Sequence, residues 1–370
     1  MKKIIFCAIG FCAYNITSAQ TNISAVYLEK TPVIDTIETI EITESSVSNK
    51  KVLFAPMSLS KLGQTELKRG LGLYLDDAIN ANVTGVYMQR RTVSAGQQFN
   101  IRGYGNGARG TNGISSNFDG QGTKVYLNGI PITDAEGITL MDDIDFNSIG
   151  KVEVLKGPSG ALYGLAIAGV VNLKSITADK NKISLGQDYM VGSYGLKRLT
   201  TQLRIGGEKS SFLVNYGKQS FDGYMNHTAS NKEFVNAIGE IRISDKQMLY
   251  TYFGYSNSYD ERNGELTKGQ YDTLDYVKNS NNTGNPAYVK NNAHSNVMSI
   301  RSGISQKWTF NKNISNNTSI FGSGLNSNVS SAGGWTDKAP VNYGIRSTVE
   351  LNYALADQIR LTGNVGLEAQ

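Results

Sequence analysis

The run IGKVEVLKGPSGALYGLAIAGVVNLKS at residues 149–175 decides how this chain is to be read. It opens on alternation, with Val152 and Val154 on one side and Lys151, Glu153 and Leu155 on the other, which is the period of a strand. Gly157-Pro158 then breaks the ladder, because proline lacks the N–H and glycine can turn left-handed. Ser159 to Tyr163 has the length of one helical turn, with Ser159 as its cap. Gly164 ends that turn, and residues 169–173 read as a second strand. Lys156 stands before the loop, where a phosphate-cradling loop needs its lysine after it. The link is also too short for the crossover helix of a nucleotide-binding βαβ unit. On these residues alone, a structural βαβ corner without chemistry stays open.

Two stretches upstream sharpen the reading: Phe99-Asn100-Ile101-Arg102-Gly103-Tyr104-Gly105 and Val125-Tyr126-Leu127-Asn128-Gly129-Ile130-Pro131. Taken in order with the run above, they resemble the plug domain of TonB-dependent outer-membrane receptors, with Asn128 where that family usually has aspartate. By motif the resemblance covers residues 53–175; beyond them it rests on pattern. It implies an α+β plug domain followed by the antiparallel β strands of a transmembrane β-barrel. The plug motif falls on Arg102, Gly103, Glu153, Lys156, Gly157, Pro158, Tyr163 and Gly164. The resemblance further implies that Arg102 and Glu153 serve as plug–barrel ion pairs or as a buried structural pair.

The chain begins with lysines at positions 2 and 3, an apolar run over 4–14, and Thr17-Ser18-Ala19. That is the pattern of a secretory signal peptide spanning 1–19, too short and wrongly flanked for a membrane helix. Cys7 and Cys12 both lie inside it, so the mature chain is expected to have no disulfide and no thiol chemistry. Residues 20–50 are polar, without a sustained period, and read as a flexible tail. Within it Glu38, Thr39, Ile40, Glu41, Ile42 and Thr43 alternate β-branched and acidic residues, as edge strands and disordered segments also do. Placed before a plug, they look like a TonB box, an extended segment able to add a strand to a partner's sheet.

The compact domain is expected over 51–175. Leu67, Leu71, Leu75 and Ile79 recur every four residues and predict one amphipathic helix across Gly70 and Gly72. Residues 83–89 and 98–102 read as strands, and 103–122 as a long polar loop. Gly103-x-Gly105 does not continue as a dinucleotide fingerprint, since Ala108 takes the last glycine's place and no helical pattern follows. The resemblance turns this loop toward ligand and makes Tyr104, Asn106, Arg109, Asn112 and Phe118 the candidate ligand-loop residues.

From 176 to 370 the texture changes to strands of strict alternation. Leu199, Thr201, Leu203 and Ile205 oppose Arg198, Thr200, Gln202 and Arg204; Ile345, Val349, Leu351 and Tyr353 oppose Arg346, Thr348, Glu350 and Asn352. A transmembrane barrel and a soluble half-buried sheet share that pattern. Connection lengths favour the barrel. Tight links at 206–209, 244–246, 311–313 and 356–357 fall at one end, and long polar ones at 221–232, 257–292 and 327–340 at the other. Nine strands are expected, near 182–191, 196–206, 210–221, 233–244, 247–258, 294–309, 314–328, 341–355 and 358–370. Tyr250, Tyr252, Tyr255 and Tyr259 are expected in an aromatic girdle at one strand's outer end. Plugged transporters close with about 22 strands, so the barrel is expected to be incomplete, a curved sheet with two free edges.

Chemistry is sparse. His227 and His294 are the only histidines, with no metal-binding pair and no nucleophile elbow, so no catalytic, cofactor or metal site is assigned. The charge of +5 is a mild cationic bias. The resemblance implies a monomeric outer-membrane transporter of a Gram-negative bacterium, not an enzyme. It would import a small-molecule ligand, a metal complex such as an iron–siderophore, driven by TonB with ExbB–ExbD. Outer-membrane lipid would surround it, and nucleic acid is not among its partners. A passive porin-like channel and an exported adhesive or scaffold β-protein remain the alternatives.

Overall fold

The computed structural model describes residues 58–69, 74–90, 92–93, 96–104, 122–164, 166–264, 266–272, 286–356 and 359–370. The expected signal peptide and tail, including residues 38–43, lie outside them, as do Asn106, Arg109, Asn112 and Phe118.

The run at 149–175 forms strand β6 (Ile149–Lys156), a short helix Gly160–Tyr163, and strand β7 (Gly169–Ser175). Both faces of β6 are covered: Val152 and Val154 join one apolar cluster, and Leu155 joins another on the opposite side. The two strands pair antiparallel, so the run is not a βαβ corner; the parallel partner of β7 is β4 (Thr123–Leu127). Strands β1 (Ser58–Leu62) and β5 (Ile130–Pro131) complete a five-stranded sheet in the order β1-β6-β7-β4-β5. Asn128 and Gly129 join β4 to β5 at φ +50 and +81, the two positive angles that a type I′ hairpin turn requires. Beside the sheet lie a two-stranded ladder, β2 (Val86–Gln89) with β3 (Gln98–Ile101), and two helices, Gln64–Leu67 and Leu75–Asn82.

Those two helices correct the single helix predicted through Leu67, Leu71, Leu75 and Ile79. Leu67 closes the first, and Tyr74 enters the second in extended backbone, φ −144 and ψ 163, so no helix runs through. The glycines at 70 and 72, each costing roughly 1 kcal/mol inside a helix relative to alanine, outweigh the leucine spacing. Ser159 stands just before the short helix, where its carbonyl accepts from the Leu162 and Tyr163 amides at 3.1 Å. Its hydroxyl donates back to the Gly157 carbonyl at 3.3 Å.

The second body is one antiparallel sheet. Its strands are β8 (Ile183–Val191), β9 (Lys197–Gly206), β10 (Ser210–Phe221), β11 (Ser230–Ser244), β12 (Gln247–Glu261), β13 (His294–Asn311), β14 (Ile314–Ser331), β16 (Val341–Ala356) and β17 (Ile359–Ala369). They pair in chain order, and a short β15 (Gly334–Lys338) folds back on β14, within what was predicted as a loop. Among the described residues the sheet is open, since β8 and β17 each pair with a single neighbour. β9–β10, β11–β12 and β13–β14 are joined by tight turns, whereas β12 and β13 are separated by a long link that includes helices Lys268–Asp272 and Pro286–Lys290. No described helix is long and apolar enough to cross a membrane, which leaves crossing by strands untouched.

The alternation sorts as expected. Outward residues such as Phe212, Val214, Ile300, Ile304 and Ile320 are exposed, while Arg198, Gln202, Asn215 and Arg301 are buried on the inner face. Ile130 of the plug sheet inserts where the wall has Gly303: a Cβ there would come within 2.5 Å of its Cγ2. The tyrosine girdle is corrected in part. Tyr252 turns inward and is 3% exposed, and Tyr250 bonds Lys174 of β7, so these two serve the contact with the plug sheet rather than a membrane interface.

Candidate functional site

The polar chemistry of this chain collects where the plug sheet meets the barrel wall. The loop before β6 reads Met141-Asp142-Asp143-Ile144-Asp145, and all five residues are buried. Three carboxylates on a buried loop need cations, and the inner wall supplies them. Arg301 of β13 reaches both oxygens of Asp143 from Nη1, at 3.0 and 3.1 Å, and donates from Nη2 to the Leu140 carbonyl at 2.9 Å. The Tyr252 hydroxyl donates to the same carboxylate at 2.9 Å. Gly254 makes the room, because a Cβ there would stand 2.4 Å from Asp143 Oδ2.

Asp145 precedes a 3-10 turn, Phe146–Ser148, at its cap position, yet makes no capping bond. Its carboxylate is taken by Arg198 of β9 at 2.5 Å instead. Burial pushes the Asp145 carboxyl above the ordinary carboxylate range, with Arg198 pulling the other way. Neutral groups extend the seam: Asn215 donates to Ser148 at 2.8 Å and to Asn236 at 2.7 Å, and Asn236 donates to the Asp143 carbonyl at 3.1 Å. On the other side of Arg198, whose guanidinium lies 5.8 Å from its ring, Tyr74 donates to Gln219 at 2.8 Å, beneath the guanidinium of Arg90 at 4.7 Å, and burial raises its phenol. Arg90 itself pairs with Asp76 at 2.7 Å.

The positions of the expected plug motif are distributed differently. Gly157 has φ +122 and Gly164 φ +68, so both ends of the helix Gly160–Tyr163 rest on glycine backbone. Pro158 lies within the turn that begins at Gly157. Lys156 donates to the Thr84 carbonyl at 3.0 Å, and burial, aided by Arg102, lowers its ammonium pKa. The Tyr163 ring packs on Tyr126 at 5.5 Å. Arg346 of β16 lies 5.4 and 5.3 Å from those two rings, donates to the Leu162 carbonyl at 2.9 Å, and pairs with Glu368 at 3.0 Å. Glu368 also meets Lys124 of β4 at 2.5 Å.

Arg102 and Glu153 do not form the pair that was implied. Glu153 is wholly buried and meets Lys151 at 3.2 Å, a contact within one strand. Arg102 is exposed at φ +52, its amide bonded to the Gly85 carbonyl and its guanidinium lying against Gly157. Gly103 follows at φ +90, its amide held by Asn100 Oδ1 at 2.9 Å. Tyr104, the described member of the ligand-loop set, is 54% exposed beside that turn. The seam residues Asp143, Asp145, Arg301, Arg198, Lys124 and Glu368 were not singled out from sequence as a site. The signal was there, in three aspartates within four positions and in cations recurring on the wet side of alternating strands.

Residues 51–170 match the model of the TonB-dependent receptor plug domain. A vitamin B12 transporter, BtuB of Vibrio vulnificus, is 28% identical over 169 residues, which are 39% of this chain and 27% of that protein. Among solved structures, the unliganded ferric citrate transporter FecA superposes with a TM-score of 0.66 at 14% identity, over 88% of this chain and 49% of its own. The siderophore receptor PiuA of Acinetobacter baumannii gives 0.62 at 13%, over 89% and 47%. The ferric yersiniabactin uptake receptor FyuA of Yersinia pestis gives 0.60 at 15%, over 88% and 49%. The chain thus spans about half the length of these solved receptors and 27% of the curated relative.

Proposed function

We propose that this chain, which belongs to the TonB-dependent receptors by its plug and the part of the barrel joined to it, works in active import across the outer membrane of a Gram-negative bacterium. One observation carries the reading: the plug sheet is held to the inner wall by buried ion pairs, Asp143–Arg301 and Asp145–Arg198. A plug seated in that way bars free diffusion and needs work to move it. A passive channel gains nothing from such a plug. TonB, energised by ExbB–ExbD, is the proposed source of that work, acting on residues 38–43 by strand addition.

The proposed cargo is a scarce metal complex, an iron–siderophore or a cobalamin. The plug match and the transporters named above favour that class, and Tyr104, Asn106, Arg109, Asn112 and Phe118 are the proposed contacts at the ligand side. The test is growth and uptake in a strain lacking this gene, across ferric siderophores, haem, ferric citrate and cyanocobalamin, with and without a protonophore. Loss of uptake of one source, abolished equally by the protonophore in the parent strain, is the expected result. Unchanged growth on all of them removes the reading.

A further inference from the structure

The outward face of the wall changes character at the outer end of β8, β9 and β10. Lys197 and Lys218 point outward there and are exposed, as is Leu199, the register partner of Lys218. The two lysines are diagonal neighbours on one face, about 7–8 Å apart at Cα. Glu233, opposite Lys218 on β11, accepts instead from the Tyr216 hydroxyl at 2.6 Å. Among the described residues, neither lysine has an ion-pair partner. Below them the same face is apolar, through Leu199, Leu203, Val214 and Phe212. From Lys218 to Phe212 β10 descends about 20 Å along its own axis. At the usual tilt of a barrel strand that is about 15 Å of depth, one leaflet of the hydrocarbon core.

A pair of aromatic rings stands just beyond the lysines. Residues 192–196 link β8 to β9, and the Gly192 amide closes the link on the Leu196 carbonyl at 2.9 Å. Within it Tyr194 has φ +58, a left-handed backbone that bulky residues rarely take. The Asp222 amide, just past the end of β10, clamps that backbone by donating to the Tyr194 carbonyl at 3.0 Å. The Tyr194 ring meets Tyr224 edge to face, with centroids 6.1 Å apart. Both rings are open to solvent, at 60% and 44% exposure. A bulky side chain held in an uncommon backbone, yet left exposed, adds nothing to the core.

We propose that this face is a binding site for one phosphorylated glycolipid of the outer leaflet. Lys197 and Lys218 take a phosphate, which ammonium groups bind as point charges. The strip from Leu199 to Phe212 takes an acyl chain. Tyr194 and Tyr224 meet the sugar, since each ring combines an apolar face with a hydroxyl, as a sugar does. A glycerophospholipid would use the lysines and the strip but leave the two rings bare. The site rests on the proposed outer-membrane placement, and not on import, cargo or TonB.

The experiment is native mass spectrometry of the purified full-length receptor in a neutral detergent, titrated with bisphosphorylated lipid A. One bound lipid A is expected at concentrations where phosphatidylglycerol does not bind. Lys197→Ala combined with Lys218→Ala should weaken binding about tenfold, whereas the corresponding pair of arginine substitutions should retain it. Tyr194→Gly suits φ +58 and so keeps the backbone; an affinity loss of about threefold there reports the ring. Lys312→Ala, in the tight turn at the other end of the wall, is the control and should change nothing. Undiminished binding in the double alanine variant overturns the proposal, as does phosphatidylglycerol bound as tightly as lipid A. An equal loss from Lys312→Ala overturns it too, because the attraction would then be charge without a site. Uptake is not read here, so a receptor inactive in transport but selective for lipid A strikes the importer reading alone.

Discussion

Replacing Arg301 by methionine tests whether buried charge holds the plug. The guanidinium touches both oxygens of Asp143 and the Leu140 carbonyl, all within 3.1 Å. Methionine fills much of the volume and makes none of these bonds. Asp143 is 0% exposed, so its charge has no water to fall back on, and among the described residues the Tyr252 hydroxyl remains as its side-chain donor. Breaking one partner of a buried pair costs about 3–5 kcal/mol, most of it the penalty on the charge left behind. The counter-experiment is the double change with Asp143→Leu. Replacing both partners by apolar groups is often close to neutral, so the double variant should lose less than the Arg301 variant alone. The assay is the plug's own thermal transition in the full-length receptor, paired with protease protection of the plug. A loss under about 1 kcal/mol for Arg301→Met, or two single losses that simply add, would show that the pair is incidental.

Gly254→Ala should loosen the plug in the same assay, since the new methyl would sit 2.4 Å from Asp143 Oδ2 and 2.5 Å from the Tyr252 hydroxyl oxygen; an unshifted transition contradicts this. Gly157→Val has space, its nearest neighbour being Arg102 Nη1 at 3.7 Å. Any loss there reports φ +122 itself, and about 1–3 kcal/mol is expected. Ile40→Pro removes a backbone donor from the proposed TonB box, so energised uptake should vanish while surface binding of ligand survives; intact uptake removes the assignment. Glu66 accepts the Gly63 amide at 2.8 Å, and that bond holds its carboxyl below the ordinary value of 4.5. Its contribution is therefore present above pH 4.5 and fades as pH falls through the lower folded value. Glu66→Gln should flatten that part of the plug's acid-stability profile, and an identical slope would refute the role.

Much of the fold could be read from local pattern, and the exceptions share a cause. The barrel strands were legible because a period of two runs through 9–18 residues and ends at tight polar turns such as Ser244 to Gln247. β15 was missed because five residues of GWTDK carry too short an alternation to be told from loop. The single helix from Leu67 to Ile79 was over-read because leucine spacing says nothing about backbone: the first helix closes at Leu67 and Tyr74 enters the second in extended conformation. Gly157 was legible as a special conformation from chemistry alone, since a strand followed by Gly-Pro must turn. The seam was not legible in its pairings. Asp145 and Arg198 lie 53 positions apart, and Asp143 and Arg301 lie 158 apart. Alternation placed Arg198 and Arg346 on the wet face correctly, but a one-dimensional period names a face and not a partner.

The polar make-up of the seam follows from what a plug has to do on the proposed reading. An apolar joint of the same extent would hold by excluded water, and every ångström of opening would expose hydrocarbon at a cost that grows with area. Charged and amide pairs behave differently. Arg301, Asp143, Asn236 and Asn215 are costly to strand in a dry interior, but once water enters they are solvated almost as well as they were paired. Such a seam is firm while closed and inexpensive to leave once wetting begins. Its failure should start where buried polar groups already lack partners among the described residues, as the Tyr126 hydroxyl, the Asn172 amide nitrogen and the Thr200 hydroxyl do. A receptor whose seam were made apolar at one pair, through Arg301→Met with Asp143→Leu, should therefore remain closed and protease-resistant at rest. Loss of protease protection at rest in that variant would show that the charged pair itself seats the plug and that apolar packing does not replace it.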